Sequence, residues 1–250
     1  MDGVRGNAHI GASHSRAALK NIEGGLTLDH SYGAVDLERI GGKTIVNGSH
    51  SEVAARGLSA EAEISTTYET IKVEDAGPVR IRARHCDIEA KNIGGLFDAA
   101  NTYGRVRVED LSGDLKIDGQ NVAVEGLGVR SPDIDVRTTY ENVSLSGCAG
   151  KISIVLSHGR LNLEPDPALS GPVDIKGNYA DVRLLWPVGF RAPFEARIRD
   201  GRIIWNLPEG PDSKKSNGII EIKAFSLLIG RPAIKIDTVH GDVTVDPAGQ

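Results

Sequence analysis

One pattern recurs thirteen times along the 250-residue chain and is most legible in Tyr103-Gly104-Arg105-Val106-Arg107-Val108-Glu109-Asp110-Leu111-Ser112-Gly113. A turn residue, here called the anchor, is followed by apolar residues three, five and eight places on, then by a small residue near place ten. The anchors fall at His14, Tyr32, His50, Tyr68, His85, Tyr103, Gly119, Tyr140, His158, Tyr179, Asp200, Asn217 and His240. All five tyrosines and five of the seven histidines occupy anchors. Self-similarity at a period near 18 residues marks a solenoid or array.

Within each unit the apolar pairs stand two places apart, as in Val35 and Leu37, Val106 and Val108, or Val182 and Leu184. That spacing lines one face of a strand. A second alternation follows the small residue, as in Leu115 and Ile117, so each unit supplies two short strands. The expected fold is therefore all-β: a parallel β-solenoid, right-handed by the general crossover preference, built from two-strand units of about 18 residues. The His, Tyr, His, Tyr order of the anchors suggests pairing of units into coils of about 36 residues, because matched side chains sit over one another in cross-β ladders. A tyrosine column and a histidine column would then run along separate edges. The rival is an 18-residue coil in which His and Tyr alternate along one edge.

Composition fits thin stacked coils, with aromatics at only 4% and 30 glycines. The net charge of −5 is interspersed, without a basic stripe for nucleic acid or a polybasic run for an anionic membrane. No apolar run reaches the roughly 18 residues of a membrane span. Ala8 and Ile10 already follow the pattern before the first anchor, which raises the expectation of an upstream segment carrying a cap, leader or membrane anchor. One domain over 1–250 is expected, with regular repeats over 1–185 and a closing region over 186–250. That last region holds both tryptophans and Phe190, Phe194 and Phe225, with Gly218 to Ile222 and Gly241 to Val245 restoring the pattern. Pro208 to Ser216 reads as a surface loop.

The phrases Tyr103-Gly104-Arg105-Val106, Asn217-Gly218-Ile219-Ile220 and His240-Gly241-Asp242-Val243 resemble the bacterial β-strand-repeat family labelled adhesins, also called toast-rack domains. Phe194-Glu195-Ala196-Arg197 followed by Asp200-Gly201-Arg202-Ile203 is similar to that family's closing repeats. The resemblance covers nearly the whole chain and implies a non-catalytic bacterial domain, extracytoplasmic or tethered to the envelope. The family has no agreed catalytic motif, so it carries over no site residues. Asn is common in that family where this chain places Tyr and His.

Several constellations invite chemistry. His14, His50 and His85 in a column would present imidazoles to a metal, but a line of near-parallel side chains does not give the tetrahedral convergence zinc requires. The tyrosines would stack on sugar rings if their faces met water, whereas edge packing makes them turn seals. Asp87, Glu109, Asp110, Asp114 and Asp118 are the carboxylates a polysaccharide-acting enzyme would draw on, and on outward strand places they also serve to blunt edges. Cys86 and Cys148, in units of different type, are expected to lie beyond disulfide reach, with Cys148 a small core residue. Asn47-Gly48-Ser49 and Asn142-Val143-Ser144 match the glycosylation pattern. The resulting expectation is no enzyme, with no catalytic, cofactor-binding or metal residues and no cofactor. The chain reads as a structural or interaction module whose partner is a protein or a polysaccharide at the envelope. The alternatives are a carbohydrate-acting enzyme and a self-assembling scaffold.

Overall fold

The computed structural model describes residues 1–225 and 231–248. It is all-β, 73% strand, wound into parallel coils of about 18 residues that form a β-solenoid. The chain falls into two compact units, Met1–Val122 and Ala123–Gln250.

In the first unit the strands Ala8–Ile22, Leu26–Ile40 and Thr44–Leu58 lie parallel, Ala8 pairing with Leu26 and Leu26 with Thr44. Every residue therefore sits over its counterpart one repeat earlier. The same register continues through Ala62–Thr67 with Thr70–Ala76, Val79–Arg84 with Asp87–Ile93, and Phe97–Leu111. Between the Tyr68 and His85 coils a shorter turn, Gly77-Pro78 in place of Ser59-Ala60-Glu61, absorbs the one-residue shortfall.

Each 15-residue strand bends at two corners where the backbone is left-handed: the anchor and the residue seven places on. His14 and Asn21 have φ of 50° and 54°, and Tyr32 and Arg39 have 55° and 57°. Between corners the alternation turns Leu26, Leu28, Val35, Leu37 and Ile40 inward, each at most 2% exposed. These are the third, fifth and eighth places and the pair ahead of the anchor, so the inward set follows the sequence pattern.

The register overturns the 36-residue coil. One unit is one coil, and His and Tyr alternate along a single corner instead of forming separate columns. Like over like is imposed where identical chains stack; a single chain is free to set unlike partners over one another. The outward place six residues past the anchor obeys the same logic, reading Lys20, Glu38, Arg56, Glu74, Lys91, Glu109. Lys20 Nζ meets Glu38 at 2.7 Å, Arg56 Nε meets Glu74 at 3.9 Å and Lys91 Nζ meets Glu109 at 3.5 Å.

The anchor at Gly119 is also corrected. The left-handed corner is Asn121, φ 55°, in register with Tyr103. Counted from Asn121, the inward places are Val124 and Val129, whereas Leu127, read as inward from Gly119, is 48% exposed.

In the second unit, Asp133–Thr139 with Val143–Cys148, then Lys151–Pro165, then Val173–Trp186 stack in the same parallel manner. The chain order then departs from the stacking order. Ile234–Val239 and Val243–Pro247 pair directly with Val173–Trp186, and Phe194–Arg199 and Ile203–Trp205 pair on the far side of those strands. The chain thus skips a layer, builds the next one, and returns to fill the gap. Trp186, Phe190, Phe194, Trp205 and Phe225 form one aromatic cluster with ring centroids 5.0 to 6.5 Å apart, the bulkier core expected of the closing region. Residues 226–230 and 249–250 of that region lie outside the described ones.

Two expectations fail here. Asn217-Gly218, φ 49° and 76°, is a hairpin turn and not a coil corner, because Ile219–Ala224 runs antiparallel to both Asp212–Ser216 and Phe194–Arg199. Asn-Gly suits a two-residue hairpin for the same reason it suits a corner, since both demand positive φ. The stretch read as a loop accordingly contains the strand Asp212–Ser216. Cys86 and Cys148 are free and buried, and burial pushes the Cys148 thiol up to about 12.

Two stability predictions follow from this packing. Val106 is 0% exposed, so Val106→Asp places an unpaired charge in the coil interior and should cost about 3 kcal/mol or more. Unchanged thermal unfolding of that variant would contradict the register. The carboxyls of Glu38, Glu63 and Glu109 are held below their ordinary range, first by hydrogen bonds from Lys20, Lys43 and Arg107 respectively. A depressed folded-state value contributes stability above the unfolded-state range and loses it as pH falls through the folded-state value. The thermal midpoint should therefore drop on acidification from neutral pH to about 3, and less so in a Lys20→Gln, Lys43→Gln double variant, as read by circular dichroism melts.

Candidate functional site: an aromatic ladder and its flanking columns

The anchor corner needs a left-handed residue, and for an ordinary L-residue that conformation costs about 1–2 kcal/mol. Tyr and His are placed there in register, and their rings stack. In the first unit His14, Tyr32, His50, Tyr68, His85 and Tyr103 follow one another with centroids 4.8 to 5.0 Å apart and planes within 21°. In the second unit Tyr140, His158, Tyr179 and His240 do the same at 4.6 to 5.0 Å. A stacked aromatic pair contributes about 0.5–1.5 kcal/mol beyond its burial, the same size as the corner strain. Each interior ring has two neighbours, so stacking offsets the strain.

The five tyrosines are 50% to 62% exposed. Tyr32, Tyr68 and Tyr179 carry a ring on each face, so their exposed part is the edges with the phenol oxygens, whereas Tyr103 and Tyr140 end their ladders with a ring on one face. No interior ring therefore offers a bare face to a sugar. The histidines are separated by an intervening tyrosine, so neighbouring imidazoles do not converge. Among the described residues no group of three or more His, Cys, Asp or Glu is placed to hold a metal ion.

Beside the ladder runs the column one place ahead of each anchor: Ser13, Ser31, Ser49, Thr67, Arg84, Thr102 and Gln120 in the first unit. The Ser49 hydroxyl lies 3.1 Å from His50 Nδ1, and Ser157 stands likewise to His158 at 3.1 Å, which fixes those imidazoles in the ladder. Beneath the corners a buried polar line completes the backbone bonding. His30 Nδ1 is 2.8 Å from Ser51 Oγ, Thr66 Oγ1 donates to the Ser51 carbonyl at 3.0 Å, and Asn101 Nδ2 donates to the Cys86 carbonyl at 2.7 Å.

The acidic candidates are not brought together. Asp87 accepts the Arg105 amide at 3.0 Å. Glu109 is bound by Arg107 and Lys91 at 2.7 and 3.5 Å. Asp110 is a left-handed corner, φ 54°, the Asp114 carbonyl receives the Phe97 amide, and only Asp118 lies beside the ladder's flanking columns. Asn47 donates to Asp29 at 2.8 Å, and Asn142 accepts the Arg160 amide at 3.0 Å, so the two glycosylation-pattern asparagines tie adjacent coils together. The sequence reading missed the Ser/Thr column and Arg84 within it. The available signal was the recurrence of a hydroxyl residue immediately before the anchor.

If stacking offsets corner strain, truncating Tyr68 has two separable effects. Tyr68→Ala loses both ring neighbours and keeps a Cβ in the left-handed corner, costing about 1–3 kcal/mol. Tyr68→Gly loses the same stacking but relieves the corner, so it should be about 1 kcal/mol more stable than the alanine variant. Denaturant unfolding of the pair checks this, and an alanine variant as stable as glycine would refute it.

Compared with known proteins, the chain gives no match to a family model, to a curated protein or to a solved structure.

Proposed function

We propose that the chain is a non-catalytic interaction module, adhesin-like in character, that serves at a bacterial envelope and receives an extended polysaccharide along its ladder corner. The observation that carries this reading is the exposed line of ring edges beside a parallel column in which Ser13, Ser31, Ser49, Thr67 and Thr102 present hydroxyls and Arg84 and Gln120 interrupt them. A repeating row of short-range donors and acceptors complements a ligand that is itself linear and repetitive, since many weak hydrogen bonds then add along one chain. Ring edges and serine and threonine hydroxyls suit sugar hydroxyls. The outward charges on the strands past the anchors are engaged with neighbouring coils and serve cohesion. The envelope setting rests on the sequence resemblance.

Retention of the protein on a panel of insoluble polysaccharides tests the reading. Wild type should be retarded, and a Tyr68→Ala, His85→Ala, Tyr103→Ala variant that still melts cooperatively should lose at least tenfold in affinity. Equal retention of the two proteins would overturn the assignment to the ladder. Release of reducing ends or unsaturated sugars from the same panel would replace the binding module with a carbohydrate-acting enzyme.

A further inference from the structure

Alongside the ladder in the first unit the flanking columns open into a trough of about 560 Å³. Its walls are the places one and three ahead of the anchor over four successive coils, with Ser65 and Thr67, Arg82 and Arg84, Ala100 and Thr102, then Asp118 and Gln120. That volume is in the range of small-molecule and sugar subsites. Three observations give it a chemical character.

The two arginines differ. Arg82 is committed, its guanidinium forming a two-pronged pair with Asp98 at 3.0 and 2.9 Å. Arg84 is exposed and has no acidic partner among the described residues, although it sits in a column otherwise filled in this unit by Ser, Thr and Gln. Most outward cations of the unit are paired across coils: Lys20, Lys43, Arg56, Lys72 and Lys91 all have carboxylates within 4 Å. Arg84 thus interrupts a neutral column with a free planar cation between Thr67 and Thr102.

Around that cation stand neutral hydrogen-bonding groups, and Asp118 supplies a carboxylate acceptor two coils further on. The trough also has a polar floor. Asn101 is 3% exposed and spends its amide nitrogen on the Cys86 and Tyr103 carbonyls, while its Oδ1 has no hydrogen-bond partner. The ring edges of Tyr68, His85 and Tyr103 belong to three of those four coils.

We propose that this trough is an acidic-sugar subsite, in which Arg84 holds the carboxylate or sulfate of an anionic glycan. Thr67, Thr102 and Gln120 take its hydroxyls, and Asp118 accepts a hydroxyl from the neighbouring sugar. This rests on the polysaccharide reading above and narrows it to anionic chains. A guanidinium is the suitable group, because its fork presents two parallel donors to a planar anion. Arg84 has no carboxylate partner among the described residues and stands between the neutral Thr67 and Thr102, while Asp118 lies two coils away, an arrangement that favours a chain bearing one anion per few sugars.

The test is calorimetric titration of the full chain with three probes: a short oligogalacturonate for the carboxylate, a carrageenan oligosaccharide, which bears sulfate and no carboxylate, for the sulfate, and a cello-oligosaccharide as the neutral control. At least one acidic probe should bind about tenfold or more tighter than the neutral one and weaken as salt is raised. Arg84→Gln should remove that preference, losing about tenfold on the acidic probe with an unchanged melting temperature. Lys214→Gln, the same charge change on the exposed strand Asp212–Ser216 of the other unit, should leave it intact. The probe preferred identifies which anion Arg84 takes. Acidic and neutral probes binding alike, Arg84→Gln binding as wild type, or Lys214→Gln losing as much as Arg84→Gln would each overturn the subsite. If neutral glycans bind and the ladder variant loses them, the polysaccharide reading stands without the acidic subsite; if no glycan binds, both fall.

Discussion

In-register parallel stacking at one coil per repeat governs everything else in this protein. Neighbouring strands lie about 4.8 Å apart, so each side chain meets the residue one repeat before it at contact distance, whatever its chemistry. Inward, that brings Val35 onto Val53 and Leu37 onto Ala55, and the apolar core is continuous. Outward, the same geometry would set like charges over like charges if the repeats were identical. The Lys, Glu, Arg, Glu, Lys, Glu order from Lys20 to Glu109 turns that repulsion into pairing. Exposed pairs contribute little individually, but six matched charges avoid a row of repulsions that would act cooperatively against the coil.

The corners impose a second constraint. A coil this short must turn sharply, and the left-handed backbone is how it does so. At the second corner Asn21, Asp75, Asn92 and Asp110 tolerate that conformation through short polar side chains, with Asn92 donating to Asp75 at 2.7 Å. At the anchor, bulky rings occupy the corner instead and stacking compensates them. Gly33, φ 148°, would put a Cβ 2.0 Å from the Ser15 carbonyl oxygen, and Gly104 one 2.3 Å from that of Cys86, so glycine is required after the anchor in these two coils, whereas Glu69, Glu141 and Ala180 follow the other tyrosines.

Much of this was legible in the sequence, and the failures have physical causes. The inward places were legible because burial on one strand face writes itself as strict alternation. Alternation of His and Tyr suggests a longer repeat in the sequence, whereas in the structure it records complementarity between adjacent short ones. Periodicity alone does not separate Gly119 from Asn121, because a two-residue slip keeps every side chain on its face. Asn217-Gly218 fits a corner as well as the hairpin it forms, because both ask for the same backbone. The trough was invisible, since it depends on which outward columns adjoin, and only the register gives that.

The surface columns differ in what they leave available. Beyond the anchor, cations and anions saturate one another: Arg56 Nε is 3.0 Å from Asp75, and Lys72 Nζ is 3.3 Å from Glu89. Such a face is cohesive and presents little net field, so it discourages binding by charge. Ahead of the anchor the column is hydroxyl-rich and nearly uncharged, beside rings whose faces are occupied and whose edges are free. A repeat that commits its ionic chemistry to holding coils together leaves its neutral donors and acceptors for a partner. In such a setting a single unpaired guanidinium acts with little competition from neighbouring charges. That division, with cohesion on one side of the corner and recognition on the other, follows from alternating unlike residues where charges must stack and repeating like ones where hydroxyls can.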